Sequence, residues 1–513
     1  MVTVKSRGCF IWDEHPFYLT EIILMRIYLS TFSLFCLLFF LASCKRAVQL
    51  FESIPASQSN IHFINKPFEK DTFNILYYLY YYNGGGVATG DINNDGFVDI
   101  FFTGNNKGAN KLYLNKGIAA SDEGSFEFED ITEKAGVAGT SDWCTGVTMV
   151  DVNADGLLDI YVSAVNGIRG LQGKNELFIN KGQGIFKESA AQYGLAVSSF
   201  ATQSAFFDYD HDGDLDCYIL NHSQKPHQNI SDTSHRRTTY DKDAGDRLLR
   251  NDIATTGQFT DVSAAAGIFQ SGQGYGLGLD TSDINNDGWD DIYVGNDFHE
   301  NDYYYINNGN GTFTESGARH FKHYSRFSMG NDVADYDNDG NPDVITVDML
   351  PPDEKTSKTY GSDDNLDIYR LKIENNGYQQ QYSRNCLQHN NGNGVNFSEV
   401  GIINNVYATD WSWAPLFADF DNDGVKDLFV SSGIVKRPVD LDYVRFISSL
   451  YVKHAADNTD IYDQEAIDKM PDGASHPFFF KGNIKEGFKE VSADWGTGKM
   501  KGYYTGASYA DLD

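Results

Sequence analysis

Hydrophobic positions follow two patterns along the 513-residue chain. The first is a single unbroken apolar run at residues 27–41. The second is a recurring unit in which an acidic loop leads into a short stretch of β-branched and aromatic residues. These stretches read IFFTG from Ile100, IYVSA from Ile160, CYILN from Cys217, IYVGN from Ile292, VITVD from Val344 and LFVSS from Leu428. Runs of that length and composition predict strands rather than helices. A strand resembling Asn-x-Leu-Tyr follows at residues 110–115, 175–180, 246–251 and 302–307. After a Gly-rich turn, a Phe-x-Asp/Glu strand follows at 128–131, 259–262, 313–315, 397–400 and 488–491. With the strand that enters each loop, this gives four antiparallel strands per unit, the composition of a propeller blade.

The acidic loops read DINNDGFVDI from Asp91, DVNADGLLDI from Asp151, DYDHDGDLDC from Asp208, DINNDGWDDI from Asp283, DYDNDGNPDV from Asp335 and DFDNDGVKDL from Asp419. Their starts are 60, 57, 75, 52 and 84 residues apart, a loose period of the kind that blades with variable loops produce. Oxygen donors at positions 1, 3, 5 and 9 with a carbonyl at 7 suit one hard cation, and Gly at 6 allows the sharp turn, so the expected ion is Ca²⁺. The candidate ligands are Asp91, Asn93, Asp95 and Asp99 in the first loop, and Asp151, Asn153, Asp155 and Asp159 in the second. The third and fourth supply Asp208, Asp210, Asp212 and Asp216, then Asp283, Asn285, Asp287 and Asp291. The fifth and sixth supply Asp335, Asp337, Asp339 and Asp343, then Asp419, Asp421, Asp423 and Asp427. An EF-hand would place Glu at position 12 on an exiting helix. Here the twelfth residues are Phe102, Val162, Ile219, Val294, Thr346 and Val430, within strands. Each loop is therefore the turn of a β-hairpin.

These hairpins, with the Asn-x-Leu-Tyr and Phe-x-Asp segments, resemble the FG-GAP/VCBS repeats of integrin α-chain propellers. The tails ITEKAGV from Ile131 and VSAAAGI from Val262 are closer to the cartilage acidic protein/UnbV-like group. The resemblance spans residues 72–513 and implies an all-β, seven-bladed-type β-propeller of four-stranded antiparallel blades, stabilised by about six Ca²⁺. The chain departs from the pattern in having six complete calcium hairpins and no further C-terminal domain. Ala510-Asp511-Leu512-Asp513 matches the opening of a seventh loop, 92 residues after Asp419, so a C-terminally truncated chain with an incomplete last blade is expected. An exposed strand edge is expected at the seam unless a neighbour or a strand at residues 73–82 covers it.

The apolar run 27–41 follows Met25-Arg26 and ends in Leu41-Ala42-Ser43-Cys44, which reads as the lipobox of a bacterial lipoprotein signal peptide. Residues 1–43 are then a leader with its true start at Met25, Cys44 is the lipidated residue, 44–60 a polar tether and 61–513 the propeller. Lys45, rather than Asp, after the cysteine points to a lipid-anchored protein of the outer membrane, exposed at the cell surface or facing the periplasm. Cys144, Cys217 and Cys386 form no disulfide framework and are expected to be buried strand residues.

A net charge of −32 excludes a general nucleic-acid binder. Three long insertions, at 221–245, 349–384 and 435–475, all fall between the second and third strands of a unit. They are expected to build a cap opposite the calcium rim carrying His222, Lys225, His227, Arg236, Arg237 and Tyr240, where a protein or glycan ligand would bind. Gly272 to Gly278 is read as the close-packed first strand of the fourth blade rather than a phosphate loop. Catalytic motifs for zinc proteases, α/β-hydrolases and P-loop enzymes are missing from the sequence, and no catalytic residue is assigned. Two functions follow: a non-enzymatic surface adhesion module, or a calcium-dependent polysaccharide lyase using a basic residue of the cap.

Overall fold

The computed structural model describes residues 49–512 apart from 68–72, 119–125, 225–236, 362–365, 393 and 458–462. Contacts divide the chain into Met1–Leu50 and Phe51–Asp513, and the fold described here belongs to the second unit. The leader, Cys44 and the cap residues Lys225, His227 and Arg236 lie outside the described residues.

Among the described residues there are six four-stranded sheets, each a meander of strands consecutive in sequence. Their first strands are Val87–Gly90, Cys144–Val150, Ala201–Phe207, Gly276–Ser282, Gly330–Ala334 and Ser412–Ala418. Each first strand packs against that of the next from blade one to blade six, around a central axis. Glycine is required where these strands approach most closely. A Cβ on Gly278 would lie 2.0 Å from Asn331 Oδ1, and one on Gly330 would lie 2.0 Å from the Trp413 carbonyl oxygen. Second strands such as Asp159–Ala164 and Asp291–Asn296 are buried on both faces between neighbouring blades, which explains their unbroken apolar runs. Cys144, Cys217 and Cys386 are buried and unpaired, as expected.

The propeller has six blades, not the seven expected. Residues 502–512 lie where a further first strand would run. Tyr504 N donates to Ser432 O of blade six, and Thr89 Oγ1 of blade one lies 2.8 Å from Ser508 Oγ. Asn115 Nδ2 donates to the Leu512 carbonyl. The same bond joins other neighbours in the ring, from Asn180 to Ile92 O, from Asn307 to Tyr209 O and from Asn390 to Ile284 O. Beyond a single β-bridge from Gly502 to Ser475, this segment joins no strand among the described residues and forms no sheet.

Residues 73–82 do not form the expected edge strand. They include a single short helical turn, Leu79–Tyr82, and pack into the aromatic core at the axis with Trp143, Tyr275, Phe327 and Trp413. The run of consecutive tyrosines gives no alternation for a strand to exploit, because Tyr80, Tyr81 and Tyr82 are all buried. Residues 61–67, expected to open the first blade, are coil. Phe51 stacks on Phe479 of blade six, and Asn60 Nδ2 donates to Phe128 O of blade one, so this segment bridges the same seam from outside.

Candidate functional site

Every acidic loop joins the first and second strands of its blade, so all six lie at one end of the strands. The backbone at position 4 is left-handed in each loop, at Asn94, Ala154, His211, Asn286, Asn338 and Asn422, and Gly at position 6 has φ between 84° and 95°. Such a turn aims consecutive N–H groups inward. Residue 5 donates to Oδ1 of the first Asp at 2.9–3.1 Å, and Gly 6 donates to its Oδ2 at 2.8–3.1 Å. The fifth-position Asp accepts in turn from the N–H of residue 7.

The ninth-position carboxylates sit beneath these turns. Asp99, Asp159, Asp216, Asp291, Asp343 and Asp427 are fully buried at the start of the second strand. One oxygen of each accepts the N–H of the residue closing the third strand: Asn115, Asn180, Asn251, Asn307, Asn390 or Gly482. Burial pushes their pKa values upward, against those hydrogen bonds, to about 6 for Asp99, Asp159 and Asp427, about 7 for Asp291 and about 8 for Asp216. Asp343, beside His389, is raised for the same reason.

In three of the six loops three expected ligand carboxylates meet. Carboxylate oxygens of Asp208, Asp210 and Asp212 lie within 4.8 Å of one another, as do those of Asp335, Asp337 and Asp343, and of Asp419, Asp421 and Asp427. Hairpins one, two and four carry Asn93, Asn153 and Asn285 at the third position instead, and these side chains accept from the residue 5 N–H. In the other three hairpins one oxygen of the third-position Asp, Oδ1 of Asp210, Asp337 and Asp421, is buried without a hydrogen-bond partner. An orphaned carboxylate oxygen within an all-oxygen donor set fits a hard cation such as Ca²⁺.

The opposite ends of the blades carry the insertions. Tyr360 and Asp440 form a β-bridge, and Gly361 N donates to Val439 O, tying the second insertion to the third. Gln381 Nε2 donates to the Glu300 carbonyl, and Arg237 Nε to the buried Glu300 carboxylate at 2.9 Å, which connects the first and second insertions to blade four. Arg237 is thus engaged in an ion pair. His222, expected in the exposed cap, is buried in the axial core. Its Nδ1–H donates to Ser223 O at 2.9 Å, so Nε2 accepts the Tyr78 hydroxyl at 3.1 Å, and burial lowers its pKa to about 4. Tyr240 is exposed. The third insertion contains the helix Leu441–Asp457, which leaves Val444, Phe446 and Val452 exposed.

A cavity of about 330 Å³ runs along the axis, lined by residues of all six first strands and by Thr505, Gly506 and Ala507. Tyr78, Tyr80, Trp143, Met329 and Trp413 line it where the first strands begin. Asp280 and Asp332 line it near the hairpin rim, and burial raises the pKa of both. The composition of this axial aromatic group escaped the sequence reading, since its members come from six separate segments. The cluster of His323, Cys386 and Glu399 is an ion-pair site: Arg384 donates to Glu399 at 2.6 Å, and the Cys386 thiol is held protonated by burial.

The six meanders define the protein as a β-propeller, and the FG-GAP-like repeat family matches residues 91–162, 283–346 and 362–430. Cartilage acidic protein 1 of Xenopus tropicalis is 33% identical over 144 residues, 28% of this chain and 20% of that protein, so the chain spans a small part of that relative's length. Among solved structures, an Agrocybe aegerita lectin specific for non-reducing terminal N-acetylglucosamine is similar at 12% identity and a TM-score of 0.41, covering 81% of this chain and 84% of the lectin. A rhamnogalacturonan lyase of Bacillus licheniformis is similar at 14% identity and a TM-score of 0.27, covering 67% and 64%.

Proposed function

We propose that the protein is a calcium-binding β-propeller lipoprotein of the cell surface that binds a protein or glycan on the insertion face without transforming it. The observation that carries this reading is the joining of the insertions at the end of the blades away from the acidic hairpins: the second is bridged to the third, and the first and second both bond to Glu300 of blade four. A rigid ring that presents joined, variable loops with exposed apolar side chains is the arrangement of a recognition surface. The ring supplies geometry, and the cap supplies the contacts.

Calcium, when bound, neutralises the hairpin carboxylates that otherwise repel one another, and stabilises the folded state by mass action. Extracellular modules of this type bind at roughly 10⁻⁴ to 10⁻³ M. The lipid anchor proposed at Cys44 would hold the cap at a membrane surface. Against a lyase stand the burial of His222 and the ion pair of Arg237, which remove two of the expected basic groups from the cap surface.

A glycan and protein array probed at millimolar calcium tests the reading, with binding expected to be lost after chelation or deletion of the helix Leu441–Asp457. Unsaturated products released from acidic polysaccharides, in a reaction stopped by chelator, would establish the lyase instead. A melting temperature unmoved by excess EDTA would remove calcium from the account.

A further inference from the structure

The six hairpins fall into two sets, and three positions change together. Hairpins one, two and four have an aliphatic residue at the second position (Ile92, Val152, Ile284) and Asn at the third. Just before the residue that closes the third strand they have Leu114, Ile179 and Ile306. Hairpins three, five and six have an aromatic residue at the second position (Tyr209, Tyr336, Phe420) and Asp at the third. Their third-strand residues are Arg250, His389 and Lys481. The extra carboxylate is accompanied each time by a basic side chain from a strand some forty or more residues away, and the blade brings the two together.

The three basic groups differ in how far they enter the loop. Arg250 is held beside it, donating to both oxygens of Asp252 at 3.1 Å. His389 reaches the rim, with Nδ1 3.1 Å from Asp343 and 3.6 Å from Asp337. Lys481 enters: its ammonium is bonded to Asp421 and lies 2.8 Å from Asp423, two of the four side chains that would hold the metal. Asp423 is correspondingly more acidic than usual, because Lys481 donates a hydrogen bond to it.

We propose that Lys481 is a built-in counter-cation of the sixth hairpin, holding that turn in shape without metal and competing with calcium for the same carboxylates. With Lys481 in place the four ligand carboxylates of the sixth hairpin carry the same net charge as the three ligand carboxylates of hairpins one, two and four. Arg250, paired with Asp252, stays outside the third hairpin and occupies none of its carboxylates. The sixth hairpin consequently takes calcium at a higher concentration than the first, second and fourth. This inference rests on the calcium reading above.

Calorimetric titration of the full chain with calcium, paired with melting in EDTA, tests it. Lys481→Met is expected to tighten one of the calcium sites about tenfold, since a neighbouring positive charge is removed, and to lower the melting temperature in EDTA. Asp421→Asn combined with Lys481→Ile, which gives the sixth hairpin the pattern of the second, is expected to keep the tight site and to restore the melting temperature in EDTA. Unchanged calcium heats and unchanged metal-free melting in Lys481→Met overturn the counter-cation while leaving calcium in place. No calcium heat from the unaltered chain overturns both.

Discussion

The second hairpin contains a residue poorly suited to its backbone, and replacing it should stabilise the ring. Ala154 has φ 56°, in the left-handed region that costs L-residues roughly 1–2 kcal/mol and that Asn tolerates better. At the same position Asn94, Asn286 and Asn338 also donate to the Gly carbonyl of the next blade's hairpin, at Gly156, Gly340 and Gly424, over 2.8–3.0 Å. Ala154 has no group with which to reach Gly213. Ala154→Asn should therefore recover part of the backbone cost, about 1 kcal/mol, and add an exposed inter-blade hydrogen bond contributing about 0.5 kcal/mol. Unfolding entropy of ~2.1 cal/mol/K per residue over a unit as long as Phe51–Asp513 makes the expected gain about 1–2 °C in Tm. Differential scanning calorimetry resolves such a shift. Ala154→Gly separates the two contributions, because it relieves the Cβ strain without supplying the donor. If Ala154→Asn melts no higher than the unaltered protein, or no higher than Ala154→Gly, the inter-blade bond contributes nothing and the reasoning fails.

Gly278→Ala should destabilise by about 1–3 kcal/mol, the range for overpacking, because its Cβ would meet the backbone nitrogen of Asn331 at 2.8 Å as well as the side chain; thermal unfolding reads the loss. Under the cap, burial raises the pKa of Asp297 and Asp302 to about 7 and that of Asp348 to about 6. These groups hold protons in the fold that the unfolded chain gives up near pH 4, so their contribution is fully present below that pH and is lost as pH rises through 6–7. Melting of the metal-free protein followed across that window should show the decline, and Asp302→Asn should flatten it; a profile identical to that of the unaltered protein would argue that Asp302 is already ionised. Cys44→Ser is expected to release the protein from membranes on cell fractionation, and equal retention of both forms would refute the lipid anchor.

How much of this was legible in sequence depended on whether a feature repeats. The hairpins repeat with an acidic spacing too regular to miss, so their strands, their position at one end of the blades and the siting of the insertions at the other could all be read. Gly278 was legible as a close-packed strand residue because it immediately precedes a hairpin. The blade number was not, since the segment 502–512 carries the start of a loop pattern but acquires no partner strands. The axial aromatic core was also missed. Tyr78 and Tyr80 alternate as a strand would, yet Tyr81 and Tyr82 are buried as well, and their partners Trp143, Tyr275 and Trp413 come from distant blades. His222 looked like a loop residue because it follows a strand end; its burial depends on Tyr78, more than a hundred residues away.

The aromatic hub at the axis changes how the ring should come apart. In an array of repeated units each member touches only its neighbours, and stability behaves as a one-dimensional sum in which blades can fray in sequence. Here Trp143, Tyr275, Phe327, Met349 and Trp413 from different blades share one cluster with Tyr78, Tyr80 and Tyr81. Losing one blade strips contacts from members that are not its neighbours, so the energetic coupling extends across the circle as well as around it. The short stretch from Phe73 to Tyr82 thereby converts a necklace of separable modules into a body with a common melting point.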